Sequence, residues 1–342
     1  MRGDSRGEMR GGMRRKLRLL VSLCAAAGIL AGCAQGQFST QASRIGVDDG
    51  TDACRPALVA LDSTGNYFGA QILTGAAMGA AGGALAGLLI GGNLRSALIG
   101  GVAGGALGAA GGYWSALQQR NRDQAAMYTQ VTGDLSRENA QIDRTQLAFN
   151  ELTDCRFRQG ATIRADYRAH RIDHATAEAA MAVVRQRAQR DLALAQQINK
   201  QIAGRGDQFV VAADNLAPGT RAAIDRPAPP PPRRVVLRRA VPLKLRPDSN
   251  APVIGQLSPR EPVTVASTGG GFALVETSSG ERGYAPDSAL AGRLPPPLAQ
   301  PAGFGGGDVR SLAGSNAARR DSFAVSVAVT EQATNNGFEL AG

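Results

Sequence analysis

The chain has 342 residues, enough for two or three domains, with a net charge of +10 and a pI near 10.2. Aromatic residues make up only 4% of it and glycines number 44, so the composition excludes one large, aromatic-rich core. The sequence contains no zinc finger, RNA-binding aromatic motif or helix-turn-helix pattern. We therefore do not expect nucleic acid as a partner, because a basic pI alone is weak evidence for one.

Residues 1–32 have the pattern of a secretory signal peptide. Basic side chains within the first 18 residues precede an apolar run, Leu17–Leu30, that is too short for an ordinary membrane span. The run ends in the letters LAGC, which resemble the lipobox of bacterial lipoproteins, with Cys33 in the lipidated position. The resemblance implies an acyl anchor on Cys33 and, because Ala34 rather than aspartate follows, export to the outer membrane. An ordinary cleavage site beside a cysteine is the alternative.

Residues 33–69 are mostly polar and predict a tether with a short helix near Ala57–Leu61. Asp52 and its neighbouring aspartates are interpreted as a solvated turn, since the terminal acidic ligand of an EF-hand is missing. Once the signal is removed and Cys33 is acylated, Cys54 and Cys155 form an even pair in an oxidising compartment. A disulfide between them is the preferred interpretation, and free thiols are the alternative. The bridge requires either a nearly extended tether or a bent helix after Trp114.

Residues 70–115 carry glycines at a spacing of four, which aligns them along one side of a helix and leaves a groove without side chains. Such grooves let another helix backbone approach closely. We expect a hairpin of two helices, near Ile72–Ile90 and Ala97–Trp114, with arms of about 28 Å that approach the thickness of a bilayer core. The segment resembles the glycine-zipper arms of small surface-antigen lipoproteins of proteobacteria; a flexible linker is the alternative. The helix-packing glycines are Gly75, Gly79, Gly83, Gly87, Gly91, Gly100, Gly104, Gly108 and Gly112.

Residues 116–206 predict two long helices. A seven-residue apolar repeat runs to Leu152, Gly160 predicts a turn, and a second apolar pattern ends at Gly204 and Gly206. Two helices of about 40 residues joined by a short turn are expected to pack antiparallel. A single helix of a larger oligomer is the alternative.

His170 and His174 lie four residues apart on the second predicted helix, a spacing that can place two imidazoles on one metal. No third ligand is evident nearby, so we interpret both as structural side chains of the helix seam. No nucleophile elbow, P-loop or kinase motif is present in the sequence. We therefore predict no metal site, no cofactor and no catalytic residue, and we do not expect an enzyme.

Residues 207–233 form a predicted proline-rich linker, and residues 234–293 change to short β runs separated by glycine and proline turns. Leu243–Pro247, Val253–Leu257 and the letters GYA at 283–285 resemble a bacterial SH3-like (SH3b) domain. The resemblance implies a small β-barrel that binds a peptide or glycan, often peptidoglycan. The ligand-binding candidates are Arg246, Phe272 and Tyr284. As alternatives, the two aromatic side chains belong to the barrel core and Arg246 pairs with Asp248 or Glu276.

Two further stretches flank the β region. The basic group Arg233, Arg234, Arg238 and Arg239 is interpreted as a contact for anionic wall polymer or lipid headgroups, or as a solvated edge. Residues 294–342 are of low complexity and predict a disordered tail with at most one short strand at Phe323–Val329.

Together these patterns predict a multidomain α plus all-β protein: a glycine-zipper helical hairpin, an antiparallel helical pair, an SH3-like β-barrel and a disordered tail. The expected function is that of a non-enzymatic lipoprotein of the outer membrane, facing the periplasm. Its acyl anchor contacts membrane lipid, its glycine rows form homo-oligomers, and its SH3b module binds peptidoglycan or an envelope peptide. The alternatives are a subunit or assembly factor of an envelope protein complex and a pore-like oligomer.

Overall fold

The computed structural model describes residues 40–69, 112–121, 123–225, 231–291, 294 and 307–340. The predicted signal peptide, Cys33 and the glycine rows from Gly75 to Gly108 lie outside these residues. The chain divides into two units, Met1–Thr51 and Asp52–Gly342. In the described part of the first unit, helix α1 spans Gln41–Ile45. In the loop after it, the carboxylates of Asp48 and Asp49 accept hydrogen bonds from the backbone N–H groups of Gly50 and Thr51.

The helices of the second unit form a bundle around one long antiparallel pair. Within the described residues the helices are α2 (Arg55–Gly69), α3 (Gly112–Arg120), α4 (Gln124–Arg168), α5 (His174–Leu216), α6 (Thr220–Asp225) and α7 (Val309–Asn336). Aspartates begin both long helices: the carboxylate of Asp123 accepts from the N–H of Ala125, and that of Asp173 accepts from the N–H of Thr176. The antiparallel arrangement of α4 and α5 agrees with the prediction, although both helices run further than expected.

The predicted helix ends at Gly160, Gly204 and Gly206 are wrong, because all three glycines lie inside helices. A Cβ at Gly160 would lie 3.2 Å from the ring of Phe338, and one at Gly206 would overlap the side chain of Arg320. Two of the glycines therefore allow close packing against the C-terminal part of the chain. The predicted linker 207–233 is wrong for residues 207–225, since α5 continues to Leu216 and α6 follows it, and residues 226–230 lie outside the described residues.

His170 lies in the turn between α4 and α5 and His174 begins α5, so their predicted place in the helix seam is wrong. His170 has a φ of 55° and Arg171 donates its N–H to the carbonyl of Asp166, which is the pattern of a Schellman cap. His174 is the first residue of α5 and lies 3.5 Å from the exposed Glu178. Both side chains are exposed.

The tether prediction is wrong for Arg55–Gly69, because the short helix expected near Ala57–Leu61 is part of a longer helix that packs against α4 and α5. Leu61 is fully buried, and a Cβ at Gly65 would overlap Ile198. The disulfide between Cys54 and Cys155 is present, with Cα atoms 5.8 Å apart. It needs neither an extended tether nor a bent α4, because the chain turns between α3 and α4 and α3 packs back against the long pair.

The predicted disordered tail is wrong for Val309–Asn336, which form helix α7, and this also excludes the predicted strand at Phe323–Val329. Residues 295–306 and 341–342 of that tail lie outside the described residues. The carboxylate of Asp308 accepts from the N–H of Ser311 at its start, and Phe323 meets Phe149 at 5.7 Å between ring centroids. The helix packs along both α4 and α5. Buried residues recur along one side of the helix, mostly at intervals of three or four, and several of them are polar. A sequence that mixes apolar and polar residues in this way resembles a low-complexity segment. The buried residues are Val309, Ser311, Ala313, Asn316, Ala317, Arg320, Phe323, Val327, Val329, Thr330, Ala333 and Thr334.

The β region forms one antiparallel sheet with its own core. Its strands are β1 (Arg233–Leu237), β2 (Val241–Lys244), β3 (Val253–Leu257), β4 (Pro262–Gly269), β5 (Phe272–Thr277), β6 (Arg282–Pro286) and β7 (Leu290–Ala291), in the order β3-β2-β6-β5-β4-β1-β7. Val235, Leu243, Val263 and Val275 contribute to the core on one face. At Leu245, Ala266 and Leu274 the sheet instead packs against Phe157 and other residues of the helices. The α plus β fold is thus one in which the sheet packs on the helical bundle.

Candidate functional site

The two ends of the glycine-rich segment are held against the same short part of α5. On the N-terminal side, the ring of Tyr67 lies 4.9 Å from the guanidinium of Arg205. On the C-terminal side, the ring of Tyr113 lies 5.1 Å from that of Phe209. Residues 205 and 209 are one helical turn, about 6 Å, apart. The described residues that flank 70–111 on its two sides therefore contact α5 at one place, which we call the insertion base.

A buried ion pair lies at the centre of the insertion base. Glu138 of α4 is fully buried and accepts two hydrogen bonds from Arg205, at 2.8 Å from Nε and 2.6 Å from Nη2. Burial opposes the charge of Arg205, but the hydrogen bonds and charge of Glu138 outweigh it and raise the pKa of the guanidinium. Burial and the nearby Glu138 carboxylate also raise the pKa of Tyr67. The pair is charged and its geometry is bidentate, which fixes the orientation of both helices.

The returning end is anchored by a second polar contact. The hydroxyl of Tyr113 donates to the carboxylate of Asp134 at 2.6 Å, and Gln130 donates to the same carboxylate at 2.9 Å. Burial and this hydrogen bond raise the pKa of Tyr113 well above its ordinary value. The raised pKa is consistent with a neutral hydroxyl that donates to Asp134.

A second buried network fixes the start of α2 beside the disulfide. Arg156 is 2% exposed and donates to both oxygens of Asp52, at 2.5 and 2.8 Å, and from Nε to Asp191 at 2.6 Å. Burial would raise the pKa of Asp52, but its hydrogen bond and ion pair with Arg156 hold the pKa below its usual value. Burial raises the pKa of Asp191. The interpretation of Asp52 as part of a solvated turn is therefore wrong.

The predicted ligand-binding side chains of the β region lie at or near the junction with the helices. Arg246 pairs with both carboxylate oxygens of Asp154 on α4, at 2.9 Å for the Nη2 contact, and not with Asp248 or Glu276. Tyr284 packs against the cluster that joins sheet to helices, and burial raises its pKa to about 12. Phe272 is half-buried at the start of β5, opposite Pro286. The structure therefore assigns Arg246 and Tyr284 to an internal interface and does not bring the three together as an open site.

Sequence patterns missed the two charge networks, although signals for them existed. Glu138 occupies a seam position of the seven-residue repeat, where a charge is unexpected unless a partner covers it. Arg205 lies between Gly204 and Gly206 and was hidden by their interpretation as a helix end. No group of three or more histidine, cysteine or acidic residues suited to a metal occurs among the described residues.

Comparisons with protein-family models, with curated proteins and with solved structures find no match to this chain. Among the described helices, none is both long enough and apolar enough to pass through a lipid bilayer.

Proposed function

We propose that this chain is a non-enzymatic, lipid-anchored protein of the bacterial outer membrane that faces the periplasm. In this proposal, acylated Cys33 holds the chain to the membrane. The glycine rows form a hairpin that packs in lipid or against other copies, and the helical bundle with its sheet is the periplasmic body. The glycine-zipper, SH3b and lipobox resemblances of the sequence are parts of the same proposal.

The insertion base is the observation that carries this proposal. A hairpin must leave and re-enter the body at one position, and Tyr67 and Tyr113 meet α5 one helical turn apart. A spacer between separate domains would not need its ends to be adjacent. This arrangement favours the hairpin over the flexible-linker alternative.

The disulfide supports the export part of the proposal independently. Cys54 is 1% exposed and its partner Cys155 lies in the middle of α4. Structural disulfides persist in oxidising compartments such as the periplasm and are rare in the reducing cytosol. The bridge is thus consistent with the compartment that the signal peptide and lipobox imply.

A role as a subunit or assembly factor of an envelope protein complex is the second candidate. It is favoured over glycan binding through the predicted residues because Arg246 and Tyr284 face the helices of the same chain. The seven-stranded antiparallel sheet with its own core remains compatible with an SH3-like module. Co-sedimentation of the mature chain with isolated peptidoglycan sacculi separates the two roles: retention above a control protein supports wall binding, and its absence with protein partners recovered by cross-linking supports the complex.

The lipid anchor is tested by metabolic labelling of cells with a radioactive fatty acid. The wild-type chain is expected to carry label and to sediment with membranes, and Cys33→Ser is expected to lose both. Cys24→Ser is the matched control, because this cysteine lies in the signal peptide and its loss should change neither result. A wild-type chain without label, or a labelled Cys33→Ser variant, would overturn the proposal.

The glycine rows are tested by paired leucine substitutions. Gly79→Leu with Gly83→Leu fills the proposed groove, whereas Ala77→Leu with Ala81→Leu adds the same number of leucines on the other side of the expected helix. We expect the first pair to abolish complexes of the acylated protein in mild detergent and the second pair to leave them intact. Equal effects of the two pairs, or a monomeric wild type, would count against groove packing.

A further inference from the structure

We propose that an exposed arginine cluster on the sheet binds the phosphate-bearing surface of an anionic lipid bilayer. The cluster, called here the basic edge, consists of Arg233, Arg234, Arg238, Arg239 and Arg260, all of them exposed. The inference rests on the proposed function only because an acyl anchor would keep the sheet near a membrane. It adds a second membrane contact, made by the folded body itself.

The five arginines lie along β1 and in the turn beside its last residue. Within β1, Val235 and Leu237 face the core, so Arg234 and Val236 point to the opposite face, and Arg238 follows the strand and is exposed. The turn between β3 and β4 joins them, because the N–H of Arg260 donates to the carbonyl of Leu237 at 2.9 Å. Arg233 and Arg234 lie at the start of β1, whereas Arg238, Arg239 and Arg260 lie at its other end, so the five cationic side chains are spread along the strand.

The basic edge lacks the carboxylate partners that the other arginines of the sheet have. Arg246 pairs with Asp154, and Arg282 lies 3.4 Å from Glu276. Within the described residues, no carboxylate lies within ion-pair distance of any of the five arginines of the basic edge. The nearest acidic residue in sequence, Glu261, accepts the backbone N–H of Ser258 at 2.8 Å. The positive charge at this edge is therefore uncompensated by the described part of the chain.

The backbone of Arg260 supplies a separate observation. Its φ of 63° is in the left-handed region, where glycine or asparagine is favoured and where a side chain such as arginine is strained. The turn nevertheless carries an exposed arginine, held by its backbone at the end of β1 that is followed by Arg238 and Arg239. This is the outcome expected if a cation at the position is useful to the protein.

An apolar side chain among the arginines favours a bilayer over a dissolved anionic polymer. Val236 is 46% exposed, lies between Arg234 and Arg238, and is opposite the exposed Pro262 of β4. Cations around an apolar centre match an interface in which phosphate groups surround buried acyl chains. A polymer with carboxylate or phosphate groups offers the charge without an apolar layer for Val236 to enter.

The test uses the full mature chain with Cys33→Ser, so that no acyl group contributes to binding. Its affinity is measured for vesicles of phosphatidylcholine with phosphatidylglycerol and for vesicles of phosphatidylcholine alone. The test variant is Arg234→Gln with Arg238→Gln. The matched control is Arg144→Gln with Arg190→Gln, which removes one exposed arginine from each of the helices α4 and α5. The glycine rows are present in every protein, so they contribute equally to each comparison.

We expect the test variant to bind anionic vesicles about 25-fold more weakly than the parent, from about fivefold for each arginine near the surface. The control variant should bind as the parent does, and high salt should weaken parental binding. Equal binding by test and control variants overturns the proposal, as does equal parental binding to the two vesicle types. If the test variant lost binding to isolated sacculi but not to anionic vesicles, the basic edge would be assigned to wall polymer, and the proposal would also be overturned. Should the test variant unfold at lower urea than the parent, Arg233→Gln with Arg239→Gln provides the second measurement. Failure here leaves the acyl label on Cys33 unaffected, so the proposed function is tested separately.

Discussion

Removing one member of the Glu138–Arg205 pair should destabilise the protein far more than removing both. Glu138 is fully buried and Arg205 is 8% exposed, so neither charge can be solvated when its partner is absent. Loss of one partner from such a pair typically costs about 3–5 kcal/mol, whereas replacing both by apolar side chains is often neutral. We expect Glu138→Leu to lower the free energy of unfolding by that amount.

The double variant Glu138→Leu with Arg205→Met tests the reasoning behind this magnitude. It removes both charges and keeps much of the buried volume, but it also removes the contact of Arg205 with the ring of Tyr67, which is worth about 0.5–2 kcal/mol. We therefore expect the free energy of unfolding of the double variant to lie within about 2 kcal/mol of that of the wild type. The exposed pair Arg319–Asp143 is the control, because its side chains are 35% and 53% exposed. Asp143→Ala should cost no more than about 1 kcal/mol.

Urea unfolding of the non-acylated mature chain, followed by far-ultraviolet circular dichroism, gives the free energies. The coupling between the two sites is obtained from the double-mutant cycle. The reasoning is refuted if Glu138→Leu costs less than Asp143→Ala, or if the double variant loses the sum of the two single losses. The first result would mean that water reaches Arg205, and the second that the side chains contribute by packing alone.

Four other changes have expected outcomes in the same unfolding assay. Replacing Cys54 and Cys155 by serine removes a cross-link between residues 101 positions apart and should lower the free energy of unfolding by up to about 4.7 kcal/mol, from the loop-entropy relation. No change would mean that the two thiols are unpaired in solution. Gly206→Ala should destabilise by about 1–3 kcal/mol because its Cβ overlaps an arginine side chain. Gly204→Ala, with nothing within 4 Å of its Cβ, should instead stabilise by about 1 kcal/mol; the opposite order would contradict the packing of α7. The pKa of Asp52 is lowered in the folded state, so its contribution is present above the unfolded value of about 3.9 and is lost as the pH falls below it. Asp52→Asn should therefore reduce the acid-induced loss of stability, and a wild-type slope in the variant would contradict the ion pair.

Periodic and pairwise signals in the sequence predicted the parts of the fold that they encode directly. The seven-residue repeat and the second apolar pattern predicted α4 and α5, because each long helix buries one continuous stripe of its own residues. The even pair of Cys54 and Cys155 predicted the bridge. The alternation of buried and exposed residues in β1, with Val235 and Leu237 inward, is likewise a local pattern that indicates a strand.

The failures share a physical cause, which is that the missing information lay in another part of the chain. Gly160 and Gly206 locally resemble helix ends, but they are places where Phe338 and Arg320 approach a helix. Helix α7 resembles a disordered segment because its buried side contains Asn316, Arg320 and two threonines. Such side chains are acceptable in a core only where partners exist, as for Asn316, whose amide donates to Asn139 at 2.9 Å. Distant partners of this kind have no local sequence signature.

Contacts between distant parts of the chain also matter for the glycine-rich segment, because the insertion base holds its two ends together. Bringing together the ends of a flexible chain of about 40 residues costs on the order of 3 kcal/mol in loop-closure entropy. Folding of the bundle already brings the two ends together, because Tyr67 contacts Arg205 and Tyr113 contacts Phe209 and Asp134. The loop-closure entropy is therefore offset by the folding of the bundle. In the proposed hairpin, residues 70–111 would then need only to order two arms, which grooves lined by glycine would allow to approach closely. If the base did not hold the ends, the weakly hydrophobic arms would have to supply the closure energy themselves. Weakening the base through Tyr113→Phe, which deletes the hydroxyl bound to Asp134, should therefore reduce assembly of the acylated protein while leaving the bundle folded. The corresponding Tyr128→Phe variant removes a hydroxyl that accepts the N–H of Val309 at 3.3 Å and does not bind Asp134, and it should leave assembly unchanged.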